Sequence, residues 1–316
     1  MRVRVEMRLE SPPAVSQSKL SACPVCAGSP QPWRTKITNY GRYAIDTCAS
    51  CGFGFVNPRP SIADLRDFYA TNGASRRNPS DPPISCLEDL LQREAVFPAS
   101  TLDASRLVWN TAQILADTTQ NYRLLDVGCG FGFRSREARE AGFEVTALEF
   151  ASPERGIAAQ LVGTVPLAVS FEDFVAAPNT FCAILMSEIL LHAPDVNLWI
   201  SKAARLLIPR GVMAIALPNF GSIFARVLRE NEPLVCPPAH LNFFAPQSLR
   251  KLLERHGFQV KKTQWTTRIT TRTIEKHIPK VAAPMLGLGS RVVSKLVDSL
   301  HMGQILTMYA ERKEAG

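Results

Sequence analysis

Between Tyr122 and the C-terminus, short apolar runs alternate with amphipathic stretches of helical period. Arg123 to Val127, Glu144 to Glu149, Val165 to Val169, Cys182 to Ser187 and Val212 to Leu217 read as strands, because each is a brief apolar run bounded by polar residues. Arg134 to Ala141, Pro153 to Leu161 and Val196 to Leu207 read as the helices between them. Pro246 to His256 predicts a further helix that stops at Gly257. Phe258 to Arg268 and Ile305 to Glu311 predict the last two strands. Strands alternating with helices predict an α/β fold, a Rossmann-like parallel sheet with helices on both faces. Ile278 to Leu300 is apolar with helical period, interrupted by Pro284 and by glycines, and predicts a helical insertion that serves as core or lid, with a dimer face or contact with a membrane or an apolar substrate as the alternatives.

The first 121 residues have a different texture. Leu87 to Ala116 carries helical periodicity in two pieces broken near Pro98. Ser61 to Tyr69 predicts a short helix with Ser61 as N-cap and Ile62, Leu65 and Phe68 on one face. Asn72 to Ser85 collects loop-forming residues. Ser21 to Pro60 is rich in cysteine and glycine and poor in aliphatic residues, so burial alone cannot fold it. These textures divide the chain into a Pro- and Ser-rich leader at 1–20, a metal-binding module at 21–60, a helical link at 61–121, and a main domain at 122–316.

The sharpest chemical signal follows the first strand of the main domain. Leu124-Leu125-Asp126-Val127-Gly128-Cys129-Gly130-Phe131-Gly132 places glycines where a chain must turn and approach a ligand with its backbone. Glu149 ends the next strand, 21 residues after Gly128, the spacing at which a carboxylate meets ribose hydroxyls. The glycines run G-x-G-x-G, and Asp126 stands just before them. A carboxylate there repels a pyrophosphate but suits a ligand bearing ammonium and sulfonium charges. This favours S-adenosylmethionine (SAM) over NAD, although an NAD-binding oxidoreductase stays open as a weaker reading.

The run Leu124 to Gly132 resembles the first motif of class I SAM-dependent methyltransferases. The resemblance extends from about Tyr122 to the C-terminus. It implies that Gly128, Gly130 and Gly132 line the methionine part of SAM, that Asp126 orders the loop, and that Glu149 accepts from the ribose. It places Cys129 and Phe150 beside these residues, Ser170, Phe171 and Glu172 at the adenine edge, and Ser187 near the cofactor. Met186-Ser187-Glu188-Ile189-Leu190-Leu191-His192 resembles the family's segment after the fourth strand, which makes Glu188 and His192 candidates for the pocket. Pro209-Arg210-Gly211 resembles the turn before the fifth strand, and Leu217-Pro218-Asn219 its end. Pro237-Pro238-Ala239-His240-Leu241-Asn242-Phe243-Phe244 resembles a His-x-x-x-Phe stretch of methyltransferases acting on small metabolites and sugars. His240 is the first candidate for a substrate base and His192 the second, because an imidazole suits removal of a hydroxyl proton. For both, a purely structural hydrogen bond is the alternative.

Cys23-Pro24-Val25-Cys26 and Cys48-Ala49-Ser50-Cys51 are two C-x-x-C knuckles with 21 residues between them. Two knuckles complete the tetrahedral S₄ shell of a structural zinc, with no position open for water. A redox dithiol would need a C-x-x-C at a helix start in a βαβ unit, which this stretch lacks. Cys51 to Pro60, ending Asn57-Pro58-Arg59-Pro60, resembles a segment found in front of some bacterial methyltransferases, including nucleotide-sugar C-methyltransferases. Cys86, Cys129, Cys182 and Cys236 have no mate at metal spacing and read as buried or loop thiols.

Composition narrows the rest. The chain of 316 residues is 46% hydrophobic and 20% charged, which suffices for a sizeable core. Its net charge of +8 permits an anionic acceptor, but no aromatic-and-basic run argues for nucleic acid. No apolar run reaches the roughly 18 residues a membrane span needs. Met1 to Leu9 lacks the apolar core and cleavage site of a signal peptide, so a cytoplasmic location is expected. The expected function is SAM-dependent methyl transfer to a small molecule, possibilities including a sugar or another metabolite. RNA or protein methylation and a non-catalytic SAM-fold scaffold are the rivals. The sequence leaves the oligomeric state open.

Overall fold

The cysteine-rich segment folds as strands. β1 (Pro30–Thr38) and β2 (Gly41–Cys48) pair antiparallel from Pro30 opposite Cys48 to Thr38 opposite Gly41. β3 (Gly54–Val56) adds to β2 on the other side. The computed structural model describes residues 19–65, 68, 84–96, 99–115, 122–267 and 292–314. Residues 62–65 and 68 are helical, with Ser61 and Asp64 capping one another through side chain and backbone. Leu65 is buried, but Ile62 is exposed and leaves the expected apolar face to Leu65 and Phe68. The predicted loop at Asn72 to Ser85 and the leader lie almost wholly outside the described residues.

Two helices follow, α1 (Leu87–Val96) and α2 (Ala99–Leu115), on either side of the predicted break. The main domain then alternates β4 (Arg123–Val127), α3 (Phe133–Glu140), β5 (Glu144–Leu148), α4 (Ser152–Val162), β6 (Phe181–Ser187), α5 (Val196–Leu206) and β7 (Leu207–Pro218). After α6 (Ile223–Leu228) and the short β8 (Asn242–Phe243) come α7 (Pro246–Arg255), β9 (Phe258–Thr266) and β10 (Ile305–Arg312). The large sheet has the order β5-β4-β6-β7-β10-β9. Its first four strands are parallel, and β10 runs antiparallel to both neighbours.

Burial explains these elements. All seven residues of β6 except Ser187 are buried, because helices cover both faces. One face packs Ile184, Met186, Met213 and Ile215 against Trp199, Ile200 and Ala203 of α5 and Leu249, Leu252 and Leu253 of α7. The other packs Leu124, Ala183, Leu185 and Ala214 against Leu107 and Val108 of α2 and Ala138 of α3. The apolar positions of α5 recur at helical spacing, and Asp195 caps it by accepting from the N–H groups of Asn197 and Leu198. Gly257, at φ 82°, follows α7 as predicted.

Two expectations need correction. The strand predicted at Val165 to Val169 is a single bridge from Leu167 to Leu148 at the β5 edge. The fifth strand begins earlier, at Leu207, and takes in the predicted Pro209-Arg210-Gly211 turn, with Arg210 at φ 60°. The cysteine-rich segment also joins the main domain: β3 pairs with β8, Gly54 opposite Phe243 and Phe55 opposite Asn242. Its Val25, Phe53 and Phe55 are fully buried in the same core as β6 and β7. Of the apolar stretch Ile278 to Leu300, only 292–300 is described. It is helical over 292–299, with Val292, Val293, Leu296 and Leu300 exposed.

Candidate functional site

The glycine loop leaves the carboxyl end of β4, where open α/β sheets present ligand sites. Gly128, Gly130 and Gly132 hold φ values of 65°, 56° and 89°, all in the left-handed region. A Cβ at Gly130 would meet no atom within 4 Å, so the loop faces open space there. Glu149 bridges two backbones: one carboxylate oxygen accepts from the Gly130 N–H at 2.8 Å, the other from the Ala151 N–H at 2.8 Å. Asp126 accepts from Ser135 Oγ at 2.7 Å, tying β4 to α3. Its second oxygen has no hydrogen-bond partner among the described residues.

Burial pushes the carboxyls of Asp126 and Glu149 above their ordinary range, against the lowering effect of these donors. Two desolvated carboxylates beside an open glycine backbone form a site for a cation with hydroxyl groups, and a poor site for a phosphate. Cys129 is buried between them, and burial followed by those two carboxylates pushes its thiol up strongly, so it stays protonated. Phe150 follows Glu149 and is exposed.

The segment expected at the adenine edge divides. Ser170 Oγ donates to Asp173 and accepts its N–H, closing a local turn. Phe171 is buried against Trp199 at 5.2 Å between ring centroids, and Glu172 accepts from Trp199 Nε1 at 2.9 Å. The side chains of Phe171 and Glu172 thus both contact Trp199 of α5. Ser187 and Glu188, at the end of β6, line a polar cavity with Asp103, Arg106 and Arg134. Ser187 Oγ is buried there without a hydrogen-bond partner among the described residues. Glu188 holds φ 55°, a costly conformation for a residue with a Cβ.

The two candidate bases, 48 positions apart in sequence, meet in space. The rings of His192 and His240 lie 5.2 Å apart, edge to face. His192 Nδ1 lies 2.6 Å from the Ala239 carbonyl and His240 Nδ1 lies 2.6 Å from the Leu234 carbonyl. A carbonyl only accepts, so each Nδ1 carries a proton. His240 also lines a largely apolar cavity with Leu191, Leu217, Phe220, Val235 and Glu232. Glu232, absent from the sequence expectations, is buried there with one oxygen on Gln304 and the other without a partner among the described residues. Nothing in its sequence surroundings marks it, because the loop that buries it has no periodicity.

The four knuckle cysteines converge. Their sulfurs all lie within 4.8 Å of one another, with Cys23 and Cys51 at 3.7 Å and Cys26 and Cys48 at 3.4 Å. A tetrahedral ion with Zn–S bonds of about 2.3 Å needs S···S separations of roughly 3.8 Å. The knuckles share one backbone pattern. Ala27 N–H donates to the Cys23 carbonyl as Gly52 N–H does to that of Cys48, and Ala27 and Gly52 hold φ 59° and 71°. Burial pushes the Cys23 thiol up to about 11, whereas at Cys48 burial is outweighed by hydrogen bonds from the backbone of Cys51 and from Cys26, which bring it down to about 7. The first knuckle is held by the main domain: Asn197 donates to the Pro24 carbonyl and Arg255 to that of Val25.

Residues 87–263 match the family profile of a methyltransferase domain. A ubiquinone biosynthesis O-methyltransferase of Rhizobium etli is 28% identical over 148 residues, covering 45% of this chain and 54% of that protein. One from Xanthomonas oryzae pv. oryzae is 34% identical over 129 residues, covering 39% and 52%. The chain thus spans about half the length of the curated relatives it matches. Among solved structures, the 1,6-didemethyltoxoflavin-N1-methyltransferase of Burkholderia thailandensis is 18% identical and covers 90% of this chain and 100% of its own, with a TM-score of 0.48. The magnesium protoporphyrin IX methyltransferase of Synechocystis PCC 6803 is 16% identical, covers 79% and 99%, and has a TM-score of 0.49.

Proposed function

The chain belongs to the methyltransferase-domain family, and from that premise we propose that it binds SAM and methylates a hydroxyl oxygen of a small-molecule acceptor. The observation that carries this reading is the pair Asp126 and Glu149, both buried, with Glu149 accepting from the open backbone of Gly130 and Asp126 holding β4 to α3 through Ser135. SAM, when bound, supplies an activated methyl on a sulfonium. Every other task falls to the protein. Gly128 to Gly132 give backbone access, Glu149 offers its remaining lone pairs to ribose hydroxyls, and Asp126 holds the loop through Ser135. The acceptor lies on the β6 and β7 side, within reach of His192 and His240. His240 takes the hydroxyl proton at Nε2 and His192 supports it, since both rings present Nδ1–H to backbone carbonyls. The name of the curated relatives, O-methyltransferase, supports oxygen as the acceptor atom. Cys23, Cys26, Cys48 and Cys51 hold one structural zinc, whose four positions they fill.

Calorimetric titration of the full chain with SAM, with NAD as the control, tests the cofactor. Micromolar binding of SAM that disappears in Gly130→Arg is expected. Folded, metal-loaded protein that ignores SAM would sink the reading. With an acceptor found by screening phenols and other hydroxylated small molecules, His240→Ala should slow turnover about 100-fold or more while leaving SAM affinity unchanged.

A further inference from the structure

Arg59 stands apart from the glycine loop, the cysteine cluster and the histidine pair, yet it braces the frame of that pair. Its Nη1 donates to the Leu241 carbonyl at 3.3 Å and its Nη2 to Asn242 Oδ1 at 2.6 Å. The guanidinium carbon lies 6.0 Å from the centre of the Phe55 ring. Asn242 in turn aims its Nδ2 at three backbone carbonyls, those of Ala193 at 2.8 Å, Leu191 at 3.3 Å and Leu190 at 3.4 Å. These belong to the turn that carries His192. The same carbonyl of Leu241 takes the Val56 N–H, and the Leu241 N–H donates to Leu191.

The chemistry of the amide makes this arrangement directional. A guanidinium can only donate, so it requires the oxygen of Asn242 to face it. That fixes the NH₂ group toward the three carbonyls, which can only accept. Without a donor at Arg59, the buried Asn242 Oδ1 is left unpaired and the Leu241 carbonyl loses one of its two donors, so the frame that seats the 190–193 turn is weakened. The two ring contacts of the site are anchored on either side of it: His192 on Ala239, His240 on Leu234. Arg59 itself follows β3, which begins three residues after Cys51.

We propose that Arg59 is a positioning residue which, through Asn242 and the Leu241 carbonyl, holds the His192–His240 pair in place, so that the cysteine-rich module builds the acceptor side of the site. The inference rests on the reading of these histidines as the acceptor side of a methyl-transfer centre. Lysine cannot reproduce it, because an ammonium lacks the fork that reaches both acceptors.

The test uses the full metal-loaded chain as wild type, Arg59→Lys and Arg59→Ala. The readouts are the imidazole NMR signals of His192 and His240, SAM affinity by calorimetry and zinc content. Both variants should move the histidine signals while keeping zinc and SAM binding. Millimolar guanidinium chloride, far below denaturing levels, should return the Arg59→Ala signals toward wild type. Histidine signals that stay in place in both variants, or that move in Arg59→Ala without any recovery on adding guanidinium, overturn the proposal. If Arg59→Ala does not fold, Arg59→Lys decides it by the same signals. Failure of wild-type protein to bind SAM would instead overturn the methyltransferase reading, and the histidine signals would still report on Arg59.

Discussion

Gly128, Gly130 and Gly132 share positive φ but answer to different constraints. A Cβ at Gly128 would lie 2.7 Å from Ile189 Cδ1, and one at Gly132 would lie 2.7 Å from Val162 Cγ2 and 3.1 Å from Ala158 Cβ. Gly132 is therefore a packing glycine between α3 and α4, whereas Gly130 is a glycine over empty space. Gly132→Ala should cost about 2–4 kcal/mol, combining left-handed strain with overpacking, seen as a lower denaturation midpoint. Gly130→Ala should cost only about 1–2 kcal/mol of strain but should weaken SAM binding far more than Gly132→Ala does. Equal affinity in the two variants would contradict the assignment. The carboxylates add a pH dependence. Burial raises Asp126 and Glu149 in the folded state, so their contribution to stability is present at pH below their unfolded values and lost as pH rises through the raised ones. A cationic ligand favours their ionised forms. SAM binding should thus release protons and weaken as pH falls through those raised values, which calorimetry in buffers of different ionisation enthalpy can count.

At the scale of elements, legibility in the sequence tracks burial. β6 is readable because both its faces are covered, leaving an almost continuous apolar run, and β4 because Leu124, Leu125 and Val127 are buried just before the glycines. α5 was readable because one face is buried and the other is not. β1 was not, since none of its nine residues is fully buried and no face repeats. β8 was too short to leave a pattern, though its two residues close the small sheet. The cysteine knuckles were legible for a different reason: their spacing encodes ligand geometry directly, without any periodicity. They pin β2 at Cys48 and bring the chain round to β3, a job that the sparse apolar content of β1 and β2 cannot do alone. One zinc per chain is expected, with four thiols becoming reactive to a thiol reagent only after chelation. Cys48→Ser should lose the metal, a contribution on the order of 10 kcal/mol to the local fold. Full thiol reactivity before chelation would rule the ion out.

Across the whole molecule, the glycine loop and the acceptor side differ in how they are supported. Asp126, the glycines and Glu149 sit within 24 consecutive residues on β4, α3 and β5, and so the sequence could reveal them as one motif. The histidine side draws on the post-β6 turn, the 229–243 loop and the cysteine-rich module, which come together through β3–β8 pairing, Asn242, Arg59 and the His192–Ala239 contact. Sequence reading could name His192 and His240 separately but could not show that they touch, nor that Phe171 and Glu172 turn toward Trp199. This split in support has a measurable consequence. The β3–β8 pair and the Arg59 clamp bind the module to residues 190–193 and 239–243, whereas no module residue among those described hydrogen-bonds to the 126–132 loop. Removing zinc should therefore loosen one side selectively. Hydrogen exchange after chelation should accelerate at the backbone amides of Val56, Leu241 and His192, while those of Cys129 and Gly132 keep their protection. Methyl transfer should fall with SAM affinity retained. Uniform acceleration through β4 and β5 would mean instead that the module supports the entire sheet, and that the two sides of the site are a single cooperative unit.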